Sequence, residues 1–152
     1  MKALCKLLVL LTLGVVALGA PAQASASVSC HKINAKGFGQ DLGGGMTTAR
    51  IVGGGLVHGT TAATFVITGF SGTVASFHGT IVFTVNRATL TAELAGTFDV
   101  ATGAFAATSS SIAGTGKLAG ATGSLTLQGV EDLTDGSFTE TVRGEICVDL
   151  AP

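Results

Sequence analysis

Glu140 is the residue of this chain best placed to do chemistry. In the segment 137–149, Phe138, Glu140, Val142, Gly144, Ile146 and Val148 share one parity, while Ser137, Thr139, Thr141, Arg143, Glu145, Cys147 and Asp149 share the other. Alternate residues of an extended strand point to opposite faces, so a lone carboxylate falls on an apolar face. A buried carboxylate is costly while charged, and such groups are protonated, paired or put to use. In a cavity, Glu140 would serve as an acid or a charge stabiliser. The structural alternatives are a mouth position in water, or a bulge that reverses the local parity.

The remaining reactive side chains make no known constellation. His31, His58 and His78 show neither His-x-His nor Glu-x-x-His spacing. His78 falls on a polar strand face, and His58 follows the Gly53–Gly55 turn, at the surface or at a barrel mouth. His31 adjoins Cys30, but a zinc site built from these two and Cys147 would lack a ligand. No metal is expected. Ser109-Ser110-Ser111 has no positioned base, and the chain has no Gly-x-Ser-x-Gly elbow. Gly114-x-Gly116-x-x-x-Gly120 has the wrong spacing for a dinucleotide fingerprint, and no helix follows it. No cofactor is expected. Glu131, Asp132 and Asp135 read as a solvated acidic hairpin, with weak calcium binding as the alternative.

The elements that must hold these residues are strands. Phe77, Gly79, Ile81, Phe83 and Val85 alternate with Ser76, His78, Thr80, Thr84 and Asn86, with Val82 the exception. Leu90, Ala92, Leu94, Gly96 and Phe98 alternate with Thr89, Thr91, Glu93, Thr97 and Asp99. This period-2 pattern, rich in Thr, Val, Ile and Phe, predicts β structure throughout, and no 3.6-residue stripe competes with it. Eight strands are predicted, at roughly 30–40, 46–53, 56–69, 73–86, 88–99, 104–114, 121–131 and 137–149. Short turns join all of them. Asn86-Arg87 is a tight hairpin, and the Asp99–Gly103 and Asp132–Gly136 turns each place a left-handed glycine before the returning strand.

The chain opens with an export signal over residues 1–24. Met1-Lys2 and Lys6 give a basic start, Leu7–Ala20 is apolar, and Ala22-Gln23-Ala24 is a small-x-small cleavage site, with Ala24-Ser25-Ala26 a second one. The apolar run is too short to span a bilayer, so no membrane span is expected after cleavage. Residues 25–152 form one domain, secreted to the extracellular space or the periplasm. Removing Lys2 and Lys6 with the signal leaves six basic residues against nine acidic ones, a net charge of −3. With no basic patch, no Trp and no Tyr, nucleic acid is not an expected partner. Cys30 and Cys147 stand near the two ends of the mature chain and are expected to form a disulfide, with free thiols as the alternative.

An antiparallel meander of eight strands closes as an up-and-down barrel or packs as a sandwich. Cysteines on the first and last strands favour closure. So do the glycines and alanines scattered over the apolar face, since small residues permit tight coiling. The Gly114-Thr115-Gly116-Lys117-Leu118-Ala119-Gly120-Ala121-Thr122-Gly123 stretch reads as a glycine-kinked corner between two strands.

That stretch resembles the glycine-rich strand connection of the allene oxide cyclase-like and dirigent-like barrels. Gly116-Lys117-Leu118 and Ala121-Thr122-Gly123 match it, and the hairpin from Leu94-Ala95-Gly96-Thr97-Phe98-Asp99 through Thr102-Gly103 fits too. The resemblance covers about residues 75–149. It implies an eight-stranded barrel, often with an apolar cavity. Plant relatives cyclise a fatty-acid epoxide or steer the coupling of phenolic radicals, and both lean on acidic or polar groups inside the barrel. This chain has no Tyr and few interior polar candidates, so neither reaction is carried over.

The leading expectation is a secreted, non-enzymatic barrel that binds a small apolar molecule or acts as an extracellular interaction module. Its candidate ligand-binding residues are Phe77, Phe83, Leu94, Phe98, Phe138 and Glu140. The alternatives are a cyclase- or isomerase-like enzyme using Glu140, and a structural coat or surface protein with a filled interior.

Overall fold

The computed structural model describes residues 27–149. The expected signal over 1–24 lies outside the described residues. Eight strands run β1 Ser29–Gly43, β2 Met46–Gly53, β3 Gly59–Ser71, β4 Val74–Val85, β5 Ala88–Asp99, β6 Ala104–Gly114, β7 Thr122–Glu131 and β8 Ser137–Val148. Each pairs antiparallel with its sequence neighbour, and β8 pairs with β1 to close the barrel. The sandwich alternative is not formed.

The closing seam is long. It runs from Ser29 opposite Val148 to Gln40 opposite Ser137. Cys30 and Cys147 are direct partners in this register and form a disulfide, with Cα atoms 3.9 Å apart. Their parity places the bond on the outer wall, next to the inward-facing pair His31 and Ile146. Closure gives every strand a partner on both sides, so the sheet has no terminal edge strand.

Apolar alternation decides the inner face. Ile33, Ala35, Ile51, Ala63, Ile81, Phe83, Leu90, Leu125, Val142 and Ile146 are all buried. Their strand neighbours of opposite parity, largely Thr, Lys, Ser and Arg, face out.

The two ends of the barrel are built differently. At one end, the hairpin turns centred on Gly44, Gly72, Ala101 and Thr134 form an open rim. At the other, two short 3-10 turns fold inward as a floor. The Gly55–Val57 turn buries Val57 completely, so β3 starts at Gly59 rather than at the expected position 56. The Gly116–Leu118 turn buries Leu118 completely. The glycine-rich stretch is therefore more than a kinked corner. β6 and β7 pair only from Ala104 opposite Val130 to Thr108 opposite Thr126. Below that they part, and the loop fills the gap with Leu118 and the buried Ala121. Thr115 ties the loop to β5: its N–H donates to the Thr89 carbonyl at 2.9 Å, and its Oγ1 accepts the Thr89 N–H at 3.0 Å. Gly116 and Gly120 sit at φ 57° and 73°, where a side chain would be strained.

Candidate functional site: a cavity in the open half of the barrel

Large side chains fill the floor half, whereas glycines line much of the rim half. Gly37 and Gly39 of β1, Gly79 of β4 and Gly129 of β7 point inward, and each is covered by a side chain from the adjacent strand. Phe138 lies over Gly39, Phe65 over Gly79, and Phe105 over Gly129. A Cβ built at Gly37 would stand 2.5 Å from both Cγ and Oε1 of Glu140. A ring or carboxyl laid against the wall of a neighbouring glycine does not reach the barrel axis. The axis stays open as a cavity of about 320 Å³.

Five phenylalanines line it: Phe65, Phe77, Phe98, Phe105 and Phe138. They stack edge to face in pairs. Phe65 and Phe77 have ring centroids 5.1 Å apart at 66°, and Phe105 and Phe138 are 5.9 Å apart at 87°. Leu94, Leu127, Ile81 and Ala107 complete the apolar wall. Exposed apolar side chains continue onto the rim, where Leu42, Phe70, Val100 and Leu133 face solvent.

Glu140 lines this cavity and is 7% exposed. It stands level with Gly37 on one side and Gly129 on the other. Burial pushes its carboxyl up to about 7, and no counter-charge offsets the effect. Two further carboxylates line the cavity nearer the rim, Asp41 and Glu131. Burial and then the neighbouring Asp41 charge raise Glu131 above its ordinary value.

Of the six residues expected to meet a ligand, five line the cavity: Phe77, Leu94, Phe98, Phe138 and Glu140. Phe83 does not. It is fully buried in the packed floor half, opposite Leu90 of β5 and Thr61 of β3. Its parity was legible, but its height along the barrel was not. The reading of the sequence missed Phe65, Phe105 and Asp41, and it placed Glu131 in a solvated hairpin, whereas Glu131 is half-buried at the end of β7 and lines the cavity. Continuing the alternation through Thr61, Ala63 and Phe65, and through Phe105 and Ala107, would have found the two phenylalanines.

The other candidates fall elsewhere. His58 and His78 are exposed, His58 at the floor end rather than the mouth. His31 is half-buried at the floor, where its Nε2 has no hydrogen-bond partner among the described residues. Sulfur atoms of Cys30 and Cys147 lie close to the Glu145 carboxylate, but the disulfide removes both as thiolate ligands. Ser109 Oγ accepts the Leu125 N–H at 2.8 Å, bridging the point where β6 and β7 part. Asp132 Oδ1 accepts from the N–H and hydroxyl of Thr134 at 2.9 and 2.6 Å, and Asp135 Oδ1 accepts the Ser137 N–H at 2.8 Å. These carboxylates build the turn. The matching turn uses Asp99 in the same way, and Gly103 and Gly136 both sit at φ 73° as expected.

No protein-family model matches the chain, and no curated protein or solved structure matches it either. Among the described residues, no helix is long and apolar enough to cross a membrane.

Proposed function

We propose that this chain is an exported binding barrel for a small apolar molecule, held in the open half with Glu140 as its polar anchor. The observation that carries this is the cavity itself. At about 320 Å³ it falls within the range of small-molecule sites, with an apolar wall and few polar groups. A barrel serving only as a structural coat would gain stability by filling that space, so the unfilled half weighs against that reading. The disulfide is compatible with the oxidising extracellular or periplasmic setting that the signal implies. Kinship with the allene oxide cyclase-like and dirigent-like barrels belongs to the same proposal, supported by the closed eight-strand meander and the glycine-rich loop.

The test is native mass spectrometry of the exported protein with solvent extraction, on the wild type and on Ala107→Leu. The larger side chain would fill part of the cavity. A co-purified molecule on the wild type that is lost from the variant supports the proposal. An empty wild type that also fails to take up naphthalene-sized probes refutes it.

One observation favours a second reading. A carboxyl near 7 can give or take a proton at neutral pH, as a general acid does. A cyclase- or isomerase-like barrel would then lose turnover in Glu140→Gln while still binding its substrate. A variant with unchanged turnover would dismiss it.

A further inference from the structure

The charges around the cavity have one sign. Its three ionisable lining residues, Asp41, Glu131 and Glu140, are all acidic. β1 contributes Asp41, β7 Glu131 and β8 Glu140, while β2 to β6 present no charged side chain to the cavity. The basic residues Lys32, Lys36, Arg50, Arg87, Lys117 and Arg143 are all exposed, and none lines the cavity.

Glu140 is the informative member. It is 7% exposed, faces the cavity, and accepts no hydrogen bond from the described residues. An unpartnered carboxylate in an apolar wall is a standing cost that a bound cation would offset. The spacing argues against a bare metal ion. Glu131 lies two residues rimward of Gly129, the β7 partner of Glu140, and Asp41 lies four rimward of Gly37, its β1 partner. At about 3.3 Å per residue, the acids are staggered by roughly 7 and 13 Å along the strands. Oxygen ligands to calcium stand about 2.3–2.6 Å from the ion, and among the described residues the three carboxylates do not gather within 4.8 Å of one another as a shared ligand set would. A cation carried on an apolar body fits instead. Its body would meet phenylalanine faces, whose negative potential also favours a cation, and its head would reach Glu140. An anionic head group would have to pass Asp41 and Glu131 and end beside a third carboxylate.

We propose that the cavity selects an apolar molecule bearing a protonated amine, with the ammonium against Glu140 and the Asp41–Glu131 pair at the mouth excluding anions. This rests on the reading of the cavity as a small-molecule site. The two are separable by calorimetric titration with three probes of similar size: 1-naphthylmethylamine, 1-naphthylmethanol and 1-naphthoic acid.

At about pH 8 the amine is expected to bind at least tenfold more tightly than the alcohol, and the acid not measurably. Glu140→Gln should bring the amine down to the alcohol's affinity and leave the alcohol within about twofold of wild type. Glu131→Gln alone should still exclude the acid, because Asp41 and Glu140 keep their charge, whereas the double variant Glu131→Gln/Glu140→Gln should let it bind. Lowering the pH to about 5 should shrink the amine's advantage as Glu140 takes up a proton, with no histidine or basic group in the lining to mask the change. Equal binding of amine and alcohol by the wild type would overturn the amine proposal and leave the apolar-ligand reading standing. Binding of none of the three by folded protein would overturn both.

Discussion

Glu140 should make this barrel less stable as the pH rises, and removing its charge should reverse the loss. In the folded chain the carboxyl is pushed from an ordinary 4.5 up to about 7 by burial. Below the lower value it is protonated whether the chain is folded or not, and it contributes nothing to the pH dependence. Between the two values the folded chain keeps a proton that the unfolded chain has released, so stability falls with each step up in pH. Above the upper value both states are ionised, and the folded state carries the whole cost of the buried charge. At about 1.4 kcal/mol per pH unit, that gap corresponds to about 3 kcal/mol. Glu140→Gln is close in shape to the protonated acid. It should match the wild type near pH 4 and exceed it by about 2–3 kcal/mol near pH 8.5. The chain has no Trp and no Tyr, so urea unfolding of ligand-free protein followed by far-ultraviolet circular dichroism is the suitable assay. Taking the difference between variant and wild type cancels Glu131, raised like Glu140, and Asp99 and Asp132, lowered by their turn hydrogen bonds. A difference that stays constant across the pH range, or a variant weaker than wild type at high pH, would refute the reasoning.

Three further outcomes are expected. Replacing Cys30 and Cys147 by serine opens a loop with a sequence separation of 117, and the chain-entropy relation puts the loss near 5 kcal/mol; a urea midpoint unchanged from wild type would contradict this. Leu118→Ala removes a fully buried side chain from the floor and should cost about 2–5 kcal/mol, with Leu125 and Ile146 amides losing hydrogen-exchange protection together; full protection in the variant would show that the loop is not part of the core. Gly103→Ala places a side chain at φ 73° against the Glu131 carbonyl and should cost more than about 1 kcal/mol, whereas Gly72→Ala, at φ 62° with open space around it, should pay the conformational strain alone; equal losses at the two sites would rule out the contact.

The architecture was more legible in this sequence than the site. Alternation in segments such as 76–86, broken by Val82, and 88–99, broken by Ala95, showed which side chains point inward, and the turn residues placed the strand ends to within about three positions. The pairing of Cys30 with Cys147 follows from the meander closing in register. What alternation does not carry is height along the barrel axis. Phe83 and Phe77 share a face and a strand, yet one is packed into the floor and the other lines the cavity, because the inward-folded turns at the floor end, Gly55–Val57 against β4 and Gly116–Leu118 against β5, join the core cluster that holds Phe83. Those loops were hidden for a related reason. Gly55-Leu56-Val57 and Gly116-Lys117-Leu118 resemble ordinary turns until the gap between β6 and β7 shows what their apolar residues fill. The acidic mouth was equally opaque: Asp41 and Glu131 belong to strands far apart in sequence, and closure alone makes them neighbours.

The bond between Cys30 and Cys147 turns the described chain into a covalent ring from which only short tails emerge. A protease that nicks any one hairpin tip, such as Ala101-Thr102 or Thr134-Asp135, would release no fragment, since both pieces remain tethered through the sulfur bridge. The exposed tips are therefore places where the polypeptide can be cut, or extended by insertion, while its two halves stay together.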